Sequence, residues 1–205
     1  MHVAIIGTGR VGSALGVAFA AAGHAVVYGS RAPGREDVEA LVARTGGGAR
    51  AATPAEAIAG ADAVVLATPW EATEALVRSL GLAGKTVLDT TNPLRFPDLV
   101  HTAEPSGGEL VQGWAPGSHV VKAFCTVGAD VMADARFGEA RAALWVAGDS
   151  ADAKATAMRL ARDIGFEPLD AGGIERSRGL EETAALWIAL AMQQGRDLAF
   201  GVLRR

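Results

Sequence analysis

The segment Ile5-Ile6-Gly7-Thr8-Gly9-Arg10-Val11-Gly12 sets three glycines in the order Gly-x-Gly-x-x-Gly, a spacing suited to holding a pyrophosphate. Gly7 permits a tight turn, Gly9 lets backbone approach the phosphates, and Gly12 lets the following helix pack close on the preceding strand. The phosphates would lie at that helix's N-terminus, where unpaired N–H groups and the positive end of the dipole favour anions. The chain contains 26 glycines, so short glycine patterns arise by chance, and a tight turn without a ligand is the competing reading. The context decides: an apolar run over residues 2–6 predicts a buried strand and residues 10–22 a helix, in the order the motif requires.

A second group of residues says which dinucleotide is expected. In an NAD site the second strand ends in Asp or Glu, which accepts hydrogen bonds from the ribose hydroxyls and repels a 2′-phosphate. Here the strand Ala25-Val26-Val27-Tyr28 runs into Gly29-Ser30-Arg31. Ser30 offers a hydroxyl to a phosphate, and Arg31 offers a charge-assisted fork and a flat face for adenine. Arg35 lies four residues on as a second positive charge. A solvated surface arginine is the bland alternative for Arg31, but its position favours NADP(H).

The elements that must position these groups are legible at low resolution. Thr53, Pro54 and Glu56 form a helix-start signature, and residues 62–68 and 85–89 read as further buried strands. Strands and helices alternate at lengths that predict an α/β fold, a doubly wound parallel Rossmann sheet. Residues 93–117 read as loop with one short helix near 109–114. Strands at 119–124 and 142–147, a helix capped by Ser150, a strand at 166–170 and a long amphipathic helix over 174–203 complete the chain. The apolar face of that helix holds Leu180, Ala184, Trp187, Ile188, Ala191 and Met192, so it is expected to pack on the sheet or on a second copy, as a homodimer. The expected division is an NADP-binding Rossmann domain over 1–150 and a small C-terminal αβ extension over 151–205 that completes an acceptor cleft.

Composition narrows the partners. The net charge is −4 with no basic stripe, which argues against nucleic acid. No apolar stretch approaches the roughly twenty residues of a bilayer span. The first strand follows directly on Met1, without an export-signal pattern, so no membrane and a cytoplasmic location are expected. Cys125 is the single cysteine, which leaves no internal disulfide or cysteine-based metal cluster to consider. No internal repeat is visible.

The chain resembles the coenzyme F420-dependent NADP oxidoreductases, enzymes whose acceptor is a deazaflavin. The resemblance is carried nearly end to end by Ile6 to Gly12, Val27 to Arg31, Thr68-Pro69-Trp70-Glu71, Asp89 to Leu94, Val120-Val121-Lys122-Ala123-Phe124, Pro168 to Gly172, Ser177-Arg178 and Leu180-Glu181. It implies a hydride passed between NADPH and a flat, flavin-like acceptor lying over the nicotinamide. By position, Gly7, Thr8, Gly9, Arg10, Val11 and Gly12 would hold the pyrophosphate, and Ser30, Arg31 and Arg35 the 2′-phosphate. Thr68, Pro69, Trp70 and Asn92 would border the nicotinamide half. Residues 125–129 would form the opposite wall, with Val127 and Ala129 toward the cofactor and Cys125, Thr126 and Gly128 toward the acceptor. All these segments fall at strand carboxyl ends, where ligands of open α/β sheets lie. Trp70 reads equally well as a core aromatic, and Asn92 as an Asx-Pro turn. The archaeal pattern has His before Thr, and bacterial relatives often Asn, where this chain has Cys125-Thr126; Gly128 stands where the archaeal pattern has proline. The NADP half of the implied function therefore transfers more directly than the deazaflavin half.

Hydride transfer needs alignment more than side-chain chemistry, which suits a chain whose histidines, His2, His24, His101 and His119, form no cluster. His24 reads as structural, and His119 as the one histidine near the cleft. Cys125 reads as a small buried residue. Asp62, Asp89 and Asp170 read as capping or turn residues. An NADPH-dependent reductase of an ordinary flavin, a ferric chelate or a small imine or carbonyl is the alternative enzyme. The Val-Lys-Ala-Phe segment favours it, being similar to the cytoplasmic reductase domain of membrane ferric reductases. A non-catalytic NADP-binding redox sensor is the remaining alternative.

Overall fold

Runs of aliphatic residues buried on both faces form the middle of the sheet. The computed structural model describes residues 1–205. Its first half contains β1 (His2–Ile6), α1 (Arg10–Ala21), β2 (Ala25–Gly29), α2 (Glu36–Thr45), β3 (Arg50–Ala52), α3 (Pro54–Ala59), β4 (Ala63–Leu66), α4 (Trp70–Ser79) and β5 (Thr86–Asp89). The connection expected as loop holds a hairpin of β6 (Leu94–Arg95) and β7 (Val100–His101) and then α5 (Gly107–Trp114). There follow β8 (His119–Lys122), α6 (Ala129–Ala133), a second hairpin of β9 (Arg136–Phe137) and β10 (Ala140–Arg141), β11 (Ala143–Ala147), α7 (Ala151–Asp163), β12 (Glu167–Gly172) and α8 (Ser177–Gln194).

Eight strands form one sheet in the order β12-β11-β8-β5-β4-β1-β2-β3. The strands from β8 to β3 pair in parallel. At β11 the direction reverses: it meets β8 antiparallel, with Ala147 opposite Lys122, and β12 runs parallel to β11. The sheet is thus mostly parallel, with its last two strands turned against the rest. Alternation along each strand feeds two cores. Val3, Ile5, Val65 and Val121 face the layer of α1 and α7, and Ala4, Ile6, Val64 and Val120 the opposite one. Each large aliphatic side chain buried in this way stabilises the fold by about 2 kcal/mol.

Local signals hold where the chemistry is local. Thr53 and Glu56 cap each other reciprocally at the start of α3, with Pro54 at its first position. The last helix corrects the sequence reading. It ends at Gln194, not 203, because Gly195 adopts φ 93°, a left-handed stop that other residues disfavour. Met192 is 66% exposed and so does not belong to the buried face. That face is instead Ser177, Leu180, Glu181, Ala184 and Trp187. Beyond the helix the chain folds back, with Trp187 Nε1–H donating to Leu198 O at 2.9 Å and Ala143 N–H to Phe200 O at 2.8 Å.

Candidate functional site

The glycine loop leaves β1 and enters α1 with two glycines fixed by the protein and one left free. Gly7 adopts φ 118°, and a Cβ there would stand 2.3 Å from Ala67 O. A Cβ on Gly12 would stand 2.1 Å from Gly7 O and 3.2 Å from Ile5 Cγ2, so any side chain would push the helix off the loop. Nothing of the protein lies within 4 Å of a Cβ built on Gly9. The space kept open by Gly9 faces outward, at the head of a helix with no side-chain cap and no acidic residue in its first turn. Ser13 N–H closes the first turn on Gly9 O at 2.8 Å, which leaves the preceding N–H groups at an open helix end. An uncapped terminus with clear space in front of it fits a pyrophosphate.

The end of β2 carries no carboxylate. Ser30 N–H is spent on Ala52 O at 2.9 Å, while its hydroxyl accepts from Ala32 N–H at 3.2 Å and keeps its own proton available. Arg31 is exposed. Arg35, the second cation assigned by sequence, is committed to Asp37, with Nη2 to Oδ2 at 2.7 Å. That contact raises the guanidinium and lowers the carboxylate relative to their usual ranges. Tyr28 does not reach the site. Its hydroxyl bonds Thr45 Oγ1 at 2.8 Å, and it fills the space above Gly16.

Thr68, Pro69 and Trp70 follow β4 as one turn. The Thr68 hydroxyl bonds Thr73 Oγ1 at 2.9 Å, which stiffens the entry to α4. The Trp70 ring packs on Trp114 of α5, with centroids 5.3 Å apart. On the far side the chain leaves β8 and reaches Phe124 two residues on, whose φ of 61° costs an L-residue on the order of 1–2 kcal/mol. Edge-to-face packing of its ring against Phe19 and Phe166, at 6.1 and 5.8 Å, offsets that cost. This bend carries Cys125, Thr126, Val127 and Gly128 across the end of the sheet into α6, where Ala129 is the first helical residue. Arg10 reaches over to this wall, its Nη2 lying 3.3 Å from Asp130 Oδ2.

Two polar atoms in this region are buried without a partner, Asn92 Oδ1 and Thr126 Oγ1. Such atoms are costly unless something meets them. Asn92 gives its amide Nδ2–H to Cys125 O at 2.9 Å, so only its carbonyl oxygen is open. Cys125 is inert as a nucleophile, because burial pushes its thiol up to about 12.

Sequence reasoning missed the charged cluster beneath these loops. Asp89 does take Thr91 N–H in the turn after β5, but it is also part of a charged group, since Lys122, Asp89 and Glu181 are each fully buried. Lys122 Nζ lies 2.9 Å from Asp89 Oδ2 and 2.9 Å from Glu181 Oε1, and donates to Thr91 O at 2.7 Å. Asp89 Oδ1 accepts from Thr91 N–H and from its hydroxyl at 2.9 and 2.7 Å. Glu181 accepts from Gly107 N–H and Gly108 N–H, both at 3.1 Å, at the head of α5. Burial alone would drive Lys122 toward the neutral amine, but the two carboxylates outweigh it and hold its ammonium above the usual lysine range. The available signal was the polar residue type at the end of two otherwise apolar strands. His119, expected near the cleft, lies exposed at the start of β8 opposite Thr86, at the other end of the strands. His24 is buried against Phe19, consistent with a structural role.

Comparison with known proteins places this geometry. A family model described as NADP oxidoreductase, coenzyme F420-dependent, matches residues 2–93. The F420-dependent NADP reductase of Methanothermobacter thermautotrophicus is 30% identical over 210 residues, covering 93% of this chain and 89% of that protein. The metalloreductase STEAP3 of Rattus norvegicus is 31% identical over 181 residues, or 87% of this chain; the chain spans only 35% of that relative's length. The crystal structure of a putative F420-dependent NADP reductase from Arthrobacter sp. FB24 superimposes with a TM-score of 0.88 at 32% identity, covering both chains completely. No helix of this chain is long and apolar enough to cross a membrane.

Proposed function

From the premise that this chain belongs to the coenzyme F420-dependent NADP oxidoreductases and is an NADP-dependent oxidoreductase, we propose that it passes a hydride between NADP(H) and a deazaflavin, coenzyme F420. The observation that carries the NADP half is the end of β2, where a hydroxyl and an uncommitted guanidinium replace a carboxylate. Ser30 and Arg31 hold the 2′-phosphate; Arg35, neutralised by its pairing with Asp37, adds no net charge there. The backbone from Thr8 to Gly12 holds the pyrophosphate in the space that Gly9 leaves clear. Thr68, Pro69, Trp70, Asn92, Val127 and Ala129 border the nicotinamide half, and Cys125, Thr126 and Gly128 the acceptor.

When bound, the cofactor supplies the hydride and the electron pair. The protein's work is alignment. Asn92 Oδ1 and Thr126 Oγ1 are fixed hydrogen-bonding positions for amide and carbonyl groups of the two ring systems, and the bend at Phe124 keeps that wall rigid. No side chain of the site is placed as a general acid, so a proton taken up by the reduced acceptor comes from water. The enzyme acts in the cytoplasm in this reading. Leu186 and Met192, 54% and 66% exposed, are the large apolar side chains that α8 leaves uncovered, and a second copy would pair over them.

The departures at Cys125 and Gly128, with the 31% identity to a metalloreductase, support a second reading in which NADPH reduces a ferric chelate or an ordinary flavin. NADPH consumption measured with the deazaflavin, riboflavin phosphate and ferric citrate as acceptors separates the two. Fastest turnover with the deazaflavin supports the first reading, and faster turnover with either of the others overturns it. NADPH binding without turnover on any of the three would leave an imine or carbonyl reductase or a sensor.

A further inference from the structure

The cluster of Asp89, Lys122 and Glu181 carries a charge that the alignment chemistry above does not use. Every remaining partner of the two carboxyl groups is a donor: Thr91 N–H and hydroxyl for Asp89, Gly107 and Gly108 N–H for Glu181. Backbone N–H groups can only donate, and beside the Lys122 ammonium they suit two acids in their ordinary ionised form. Lys122 donates to Asp89 Oδ2 and to Thr91 O and lies 2.9 Å from Glu181 Oε1 as an ion pair. One cation and two anions leave one net negative charge, softened by the positive end of the α5 dipole.

That charge adjoins the cleft. Lys122 holds the carbonyl of Thr91, and the next residue is Asn92, whose Oδ1 is open while its Nδ2–H is given to Cys125 O. Cys125 adds no charge, since its buried thiol keeps its proton. We infer that this buried net-negative cluster biases the neighbouring cleft toward the oxidised, positively charged form of the nicotinamide cofactor, and so makes bound NADPH a stronger hydride donor.

The inference rests on the NADP(H) reading and holds for any acceptor that takes a hydride, such as a deazaflavin or a flavin. A hydride leaves the dihydronicotinamide with its electron pair, the ring becomes a cation, and the acceptor gains the hydride and one proton from water. Positive charge therefore appears beside the cluster whichever acceptor is reduced. Desolvated charges act on one another more strongly than in water. Any factor by which the site prefers the oxidised form is also the factor by which it strengthens the bound reductant.

Titration of the intact protein with NADP+ and with NADPH tests this without turnover. Wild-type protein is expected to bind NADP+ at least as tightly as NADPH. Glu181→Gln and Asp89→Asn are each expected to raise the ratio Kd(NADP+)/Kd(NADPH) by about three- to tenfold, the scale of one partly screened charge. A wild-type preference for NADPH overturns the inference, and that measurement needs no variant to fold. So does a parallel loss of both affinities with the ratio unchanged, which is what a merely structural cluster would give. If wild-type protein binds neither form, the cofactor reading falls and takes the inference with it.

Discussion

Trp187 of α8 occupies the space in which a side chain on Gly128 would sit: a Cβ there would stand 2.5 Å from Trp187 Cη2. Glycine at this point lets the segment 125–128 lie flat against the indole, which is tethered by its N–H to Leu198 O. Gly128→Ala is expected to push the ring aside, lowering stability by about 1–3 kcal/mol. It is also expected to raise the KM for the acceptor while leaving the Kd for NADPH within about twofold. Thermal unfolding and steady-state kinetics check both parts, and an unchanged acceptor KM would remove Gly128 from the wall.

Gly9 and Gly12 separate ligand demands from packing demands. Gly12→Ala places a methyl group 2.1 Å from Gly7 O and is expected to cost about 3 kcal/mol. Gly9→Ala meets nothing within 4 Å and is expected to change stability by less than about 1 kcal/mol. Its effect should appear instead as weaker NADPH binding. Melting temperatures alongside a nucleotide titration test the contrast. An alanine at position 9 that binds NADPH like wild type would mean the space is not the phosphate's.

Arg31→Asp replaces a phosphate partner by a like charge. NADPH affinity is expected to fall by about ten- to hundredfold, the worth of a hydrogen bond to a charged group. Affinity for NADH should change little. Equal losses for the two nucleotides would show that Arg31 does not read the phosphate.

Alkaline pH should weaken the fold through two buried groups. Burial pushes Cys125 up to about 12 from an ordinary 9.0, and the carboxylates hold Lys122 above 10.5. In each case the folded state keeps a proton that the unfolded chain has already lost. Stability is therefore full below the unfolded value and declines as pH rises toward the folded one. The slope is about 1.4 kcal/mol per pH unit for each group in its window. Urea unfolding between pH 8 and 11 measures it. Cys125→Ala should remove the part that begins near pH 9, and a flat profile to pH 11 would contradict the burial of Cys125.

Legibility in the sequence followed the distance between partners. The capping of α3 depends on Thr53, Pro54 and Glu56, all within four positions, and it was readable; so were the glycine loop and the strand repeat. The hairpins of two-residue strands carry too few residues to show alternation. The end of α8 was overrun because apolar residues recur as far as Leu203, while the helix is stopped by one glycine. Asp89 and Lys122 lie 33 positions apart, and Glu181 is 74 from Gly107. A charged residue closing an apolar strand looks like a surface cap until its partners are known. His119 lies a whole strand away from the cleft, since the two ends of β8 are at opposite ends of the sheet.

Glu181 also imposes an order on synthesis. The phosphate loop leaves the ribosome among the first residues, yet the acid that meets Lys122 and the head of α5 arrives with the final helix. Until then a buried lysine has one carboxylate in place of two, and the amides of Gly107 and Gly108 have no acceptor. The first strands and helices can therefore take shape early, but the cluster around Lys122 closes only when α8 has emerged.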